Sequence, residues 1–206
     1  MSPPEWFLLA CFAVFAAGTW LRINQAFPRP GSDTLAASRG RVPPAVLYSL
    51  TWAMMPWRKE TASRHPLSYL LGIGYHAGIF LGFLWLVLLF LHVRLPEAVV
   101  SASAALLVVA AACGLALLVK RAVTPAMRFF SNPDDYVSNL MATAFVILTA
   151  AALRYQNALP GLFVYAGALF LYMPVGKLRH AIYFGLARVY LGLFYGRRGV
   201  WPSGGK

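Results

Sequence analysis

Apolar runs of about twenty residues alternate with shorter polar stretches along most of the chain. The runs fall near residues 4–21, 66–91, 96–119, 134–153 and 160–179, each close to the ~20 residues a helix needs to cross a bilayer. Between the first two lies a polar loop, residues 22–65, rich in Pro, Ser and Arg. Within it, "AVLYSLTWAMMPW" (Ala45–Trp57) predicts an amphipathic helix lying on the membrane surface. Beyond the last run, a tail at 180–206 continues "RHAIYFGLARVYLGLFYGRRGVWP" (Arg179–Pro202), which is aromatic, basic and compatible with a second such helix. The pattern therefore predicts an all-α integral membrane protein, a single transmembrane domain over 1–206 with five membrane-spanning helices. "MSPPEW" at the N-terminus has no basic region and carries Glu5, so the first run reads as a retained helix and not a signal peptide.

Composition strengthens this picture. Hydrophobic residues make up 60% of the 206 and charged residues 12%, against roughly 25% charged in a soluble domain, and mean hydropathy is +0.64. A net charge of +12 in a soluble chain would point to nucleic acid, but the placement of the charges gives it another meaning. Seven of the 18 basic residues lie in the first loop (Arg22, Arg29, Arg39, Arg41, Arg58, Lys59, Arg64), three in the third, and six in the C-terminal segment from Lys177 onward. Only Arg94 and Arg154 fall on the opposite side. The positive-inside rule then puts the N-terminus outside and the C-terminus in the cytoplasm. The expected partner of this charge is anionic lipid and not nucleic acid. Cys11 and Cys113 sit in separate apolar runs with no CxxC, which argues against iron–sulfur or zinc ligation and for two small hydrophobes.

"SNPDDY" (Ser131–Tyr136) opens the fourth run. Ser131 or Asn132 can cap it, Pro133 suits the first turn, and Asp134 and Asp135 complement the positive helix end. Of the four histidines, His65 and His92 lie at the ends of the second run, where water is at hand. His76 lies ten residues into that run, and His180 ends the fifth. Ionisable side chains inside spans are costly and usually functional. On straight helices His76 is about 24 Å below His92 and His180 about 30 Å below Pro160, so the two rings share a depth near the cytoplasmic side. Two readings follow from that spacing. The imidazoles clamp one haem iron from either side, or each packs against a carbonyl of a neighbouring helix. Gly176, Met173, Leu169, Ala166 and Leu162 share the face of His180, and Gly72, Ile79, Phe80 and Phe83 that of His76. Lys177, Arg179, Arg22 and Arg128 stand near the boundary as candidate haem-propionate partners. Gly74, Gly78 and Gly82 form a separate stripe that predicts close helix packing.

Three segments together resemble the gamma subunit of respiratory nitrate reductase and its relatives, five-span membrane cytochromes b with an outside N-terminus. They are "YHAGIFLG" (Tyr75–Gly82), "MPVGKLRH" (Met173–His180) and "SNPDDY". Two-haem members of that family carry further histidines ten residues after the first motif histidine and eighteen before the last. Leu86 and Leu162 occupy those positions here. The resemblance thus implies one haem b, ligated by His76 and His180, as in short forms that accompany heterodisulfide-reductase-like or sulfite-reduction iron–sulfur subunits. Its setting would be the cytoplasmic (inner) membrane of a prokaryote.

The expected function is that of a membrane-anchoring cytochrome b subunit. It would pass electrons between membrane quinone and a cytoplasmic iron–sulfur partner, with the cofactor supplying the redox chemistry. Asp135, Tyr136 and Tyr75, with Arg128, are candidates for a quinone site near the haem, and Tyr155 and Gln156 for one at the outer edge. The alternative is a haem-free membrane anchor or scaffold for the same kind of complex. A transporter would need inverted repeats and polar mid-membrane linings, and a standalone enzyme a nucleophile–base set or phosphate loop. The sequence has none of these.

Overall fold

A computed structural model of the chain describes residues 1–26, 39–58 and 64–202. Arg29, Lys59 and Lys206, counted above among the basic residues, lie outside the described residues. Among the described residues every regular element is helical: α1 (Pro3–Ala26), α2 (Val42–Leu50), α3 (Pro66–Phe90), α4 (Glu97–Val123), α5 (Pro125–Phe130), α6 (Pro133–Arg154), α7 (Leu159–Tyr172) and α8 (His180–Arg197), with short 3-10 turns between some of them. Among the described residues, four stretches are long and apolar enough to cross a membrane: Pro3–Gln25, Pro66–Phe90, Glu97–Val123 and Pro133–Arg154. A fifth is reached only by counting Gln156–Tyr172 and Lys177–Arg197 as one broken span. The chain is a multi-pass helical membrane protein by this measure.

The continuous helix expected over 160–179 is the main correction. Helix α7 ends at Tyr172, and a 3-10 turn over Lys177–Arg179 follows before α8 begins. Pro174 has no N–H to continue the ladder, and its ring excludes the preceding helical carbonyl. Val175 and Gly176 instead both donate to the Tyr172 carbonyl, at 3.1 and 2.8 Å. His180 therefore starts a new helix, and helical spacing no longer places it on one face with Leu162.

The chain divides into two compact units. The first comprises Met1–Ile23 and Leu67–Leu178 and contains the long helices. In a bilayer lipid tails are as apolar as leucine, so helices associate through close packing and hydrogen bonds. The expected glycine stripe on α3 serves this purpose. A Cβ on Gly78 would lie 2.0 Å from that of Ala110 on α4, and one on Gly82 would lie 3.0 Å from the Phe145 ring of α6. Polar contacts converge on α6: Tyr75 donates to the Asn139 carbonyl (2.9 Å) and pairs with the Thr143 hydroxyl (2.8 Å), while Tyr165 of α7 donates to the Met141 carbonyl (3.1 Å). Phe12 and Phe15 of α1 pack on Phe170 of α7. Leu86 and Leu162, which stand where a second haem's ligands would be, are both buried in the same core.

The second unit comprises Asn24–Pro66 and Arg179–Lys206. The helix expected over Ala45–Trp57 is shorter and earlier than its sequence limits, ending at Leu50. There the Thr51 hydroxyl turns back on the Leu47 carbonyl (2.7 Å), a local bond that competes with helix continuation. Helix α2 lies against α8, where a Cβ on Gly192 would stand 2.5 Å from Val46 Cα and one on Gly196 2.7 Å from Ala45 Cβ. The Arg188 guanidinium donates twice to the Ser49 carbonyl, at 2.9 and 2.6 Å, and the buried Ser49 hydroxyl donates to the Arg188 carbonyl at 2.7 Å. Helix α8 closes on Gly199, at φ +69°. Val200 bonds back to Tyr195 and Gly199 to Gly196, the paired pattern of a glycine-terminated helix.

Candidate functional site

His76 projects from the middle of α3 on a face the chain does not cover, beside exposed Ile73 and Phe80. Its Nδ1 lies 2.7 Å from the Gly72 carbonyl oxygen. A carbonyl can only accept, so Nδ1 carries the proton and the Nε2 lone pair points away from the helix. That is the tautomer of an imidazole whose second nitrogen is ready to ligate a metal, with ring orientation set by the carbonyl. A Cβ on Gly72 would meet nothing within 4 Å, so the space beside the ring is open. The surroundings of His76 thus fit one axial ligand of a haem. His180, the first residue of α8, is also exposed, and it belongs to the second unit. Among the described residues no three His, Cys, Asp or Glu side chains gather to hold a metal ion.

The residues at the start of α6 form a polar cluster of their own. Asn132 caps the helix: its side chain accepts from the Asp135 amide (3.1 Å), and the Asp135 carboxylate accepts from the Asn132 amide (3.0 Å). Ser131 is not the cap. Its hydroxyl accepts from Arg121 (2.9 Å) and donates to the Met127 carbonyl (2.6 Å). The buried Asp135 carboxylate also receives the Lys177 ammonium and lies 3.5 Å from the Arg121 guanidinium. Beside it, Tyr172 donates to Asp134 and pairs with the Ser138 hydroxyl at 2.8 Å. Asp134 and Asp135 therefore tie the end of α7 and the turn after it to the first turn of α6.

This places the sequence-derived candidates. Lys177, expected beside a propionate, is engaged with Asp135, while Arg22, Arg128 and Arg179 are exposed. Asp135 is enclosed by its cap and two cations, Tyr75 bonds to Asn139 and Thr143, one and two turns further along α6, and Tyr136 is half-buried. Tyr172, Ser138 and Arg121 were not singled out in the sequence; their involvement depends on contacts across 34, 38 and 14 positions, which no local pattern records. Near the opposite end of α3, His92 Nε2 lies 3.3 Å from the buried Glu5 carboxylate of α1. His92 is exposed, as its expected place at the interface required, but it is also paired.

No protein-family model, curated protein or solved structure matches the chain.

Proposed function

We propose that the chain is the membrane-anchoring cytochrome b subunit of a respiratory oxidoreductase complex in a prokaryotic inner membrane. In this reading it passes electrons between membrane quinone and a cytoplasmic iron–sulfur partner through one haem b held by His76 and His180. The observation that carries the reading is the state of His76. An imidazole in mid-span, facing away from the chain's own core, has one nitrogen satisfied by its helix and the other presented outward. Leaving such a ring to lipid is costly, and ligation removes the cost. The buried Leu86 and Leu162 agree with one haem in place of two. When bound, haem supplies reversible one-electron transfer. The chain's own residues supply ligation and an apolar surround from Ile73 and Phe80, and the α6 cluster holds the helix break two residues beyond Tyr172. Asp135 and Tyr75 have their hydrogen-bonding capacity taken up within the fold, so their part is to hold α6 and not to meet an exchangeable quinone.

A second reading, the haem-free anchor, draws on the same cluster: groups expected around propionates and quinone satisfy one another without a ligand. Spectra of the purified chain decide between the two. The cytochrome reading expects about one haem per chain with a sharp reduced α-band, lost in both His76→Ala and His180→Ala. Full haem content in His76→Ala would refute the ligation, and haem-free wild-type protein would leave the anchor.

A further inference from the structure

The described residues of the second unit hold eight arginines and no lysine, aspartate or glutamate. Seven of the eight are exposed; Arg188 is used internally, on the Ser49 carbonyl. Four of the exposed ones leave one place, the junction where the chain entering α2 meets the end of α8. The Arg39 amide donates to the Arg197 carbonyl at 2.9 Å. Around it the backbone is too tight for anything but glycine: a Cβ on Gly40 would stand 2.4 Å from the Gly196 oxygen, and one on Gly196 lies 3.4 Å from the Arg41 oxygen. Arg39, Arg41, Arg197 and Arg198 are thus held together by main-chain contacts with no described carboxylate in the unit to neutralise them. Arg198 is already oriented, its guanidinium 3.5 Å above the Phe194 ring and bonded to the Phe194 carbonyl (3.2 Å). Next to the junction, Trp201 packs on Tyr195 and Tyr48, with centroids 4.7 and 5.5 Å apart.

Two features of the residue types decide what this surface takes. Placing Arg197 and Arg198 at a helix C-terminus relieves part of their charge through the helix dipole, but that accounts for neither Arg39 nor Arg41. Guanidinium, with its planar fork of donors and weak hydration, is the side chain suited to phosphate oxygens. Amphipathic aromatics such as Trp201 favour the headgroup level of a bilayer. In sequence the unit's first segment lies between α1 and α3, both long and apolar enough to cross a membrane, so the chain tethers it to a bilayer.

We infer that the Arg39–Arg41–Arg197–Arg198 junction of α2 and α8 is a binding surface for the phosphate headgroups of anionic phospholipid. The inference is independent of the haem reading and is tested without haem. Full-length chain is placed in nanodiscs containing equal dioleoyl-phosphatidylcholine and dioleoyl-phosphatidylglycerol. The lipid retained after detergent release is counted by native mass spectrometry at 50 and 300 mM salt. The wild type is expected to retain phosphatidylglycerol preferentially, less so at high salt. The R39Q/R41Q/R197Q/R198Q variant should lose that preference by roughly six-hundredfold, since each surface-adjacent basic residue contributes about fivefold. Inorganic phosphate at 10 mM should leave it intact. An R94Q/R154Q control, which changes the two basic residues outside the basic segments, should behave as wild type. The R197Q/R198Q pair, with helix content checked by circular dichroism, covers the case in which the fourfold variant fails to fold and should lose preference by about twenty-five-fold. Equal retention of both lipids by the wild type would overturn the inference and leave an acidic protein face as the partner. Undiminished preference in the folded variants, or displacement by free phosphate, would overturn it as well.

Discussion

Replacing Asp135 by Asn removes one negative charge and little else. The amide has nearly the shape of the carboxylate, and its oxygen can still accept from the Asn132 amide, so the helix cap survives. What is lost is the charge that Lys177 and Arg121 share. Fully buried pairs broken on one side cost about 3–5 kcal/mol, and surface pairs about 0–1 kcal/mol. This site lies between those limits: the Asp135 side chain is 7% accessible, but those of Lys177 and Arg121 are 48% and 39% accessible and can recover water. The expected loss is therefore about 2 kcal/mol, with Asp135→Ala costing about 1 kcal/mol more because the Asn132 amide also loses its acceptor, the return half of the capping box. Lys177→Met alone should cost less than Asp135→Asn, since Arg121 remains beside the carboxylate. The double variant D135N/K177M should then be less destabilised than the sum of the two, by about 1 kcal/mol of coupling. Unfolding by sodium dodecyl sulfate in mixed micelles, followed by far-ultraviolet circular dichroism, measures all four proteins. Additivity to within about 0.3 kcal/mol would mean that the two side chains do not interact, and the account of how the broken helix is tied to α6 would fail.

Two further substitutions separate packing from the absence of a side chain. Gly78→Leu pushes the contact with Ala110 far inside van der Waals distance and should cost at least about 2 kcal/mol in the same assay; Gly72→Ala, on the same helix with open space beside it, should stay within about 0.5 kcal/mol. Equal effects of the two would show that α3 does not meet α4 through Gly78. In the second unit, Gly192→Leu meets the Val46 backbone and should part α2 from α8. Amide exchange should then rise over residues 42–50 and 188–197 and stay unchanged in α3, α4 and α6, and protection retained in 42–50 would contradict the packing.

Much of this was legible in the sequence because it depends on short-range pattern. Apolar run length placed four spans to within a few residues at most ends, and the four-residue glycine spacing of α3 pointed to a helix contact that Ala110 and Phe145 now occupy. "SNPDDY" read as a cap, and Asn132 with Asp135 forms one. The fifth run shows where such reading stops. Pro174 was in plain view, yet proline is tolerated inside membrane helices when neighbours satisfy the freed groups, so its presence alone did not distinguish a kink from an end. The ladder resumes only after Tyr172 and Lys177 have reached Asp134 and Asp135, 38 and 42 positions earlier. Periodicity carries no trace of such a pairing. No single helical face runs through 173–176 to join Leu162 to His180, because the helix does not continue there.

The same contacts give His76 its significance. Within the span bundle, tyrosine hydroxyls are handed to α6: Tyr75 to Asn139 and Thr143, Tyr165 to Met141, and Tyr172 to Asp134 and Ser138. Each bond removes the cost of a polar atom in an apolar medium and at the same time fixes one helix against another. His76 departs from this practice. It is adjacent in sequence to Tyr75, with the two ring centroids 6.1 Å apart, but it is exposed where Tyr75 is buried, and the hydrogen bond it makes joins it only to its own helix. That bond adds nothing to helix association and leaves Nε2 directed outward, away from the core that could have satisfied it. A ring held in one tautomer by its own backbone, on an uncovered face, is the arrangement that the proposed ligation by His76 requires.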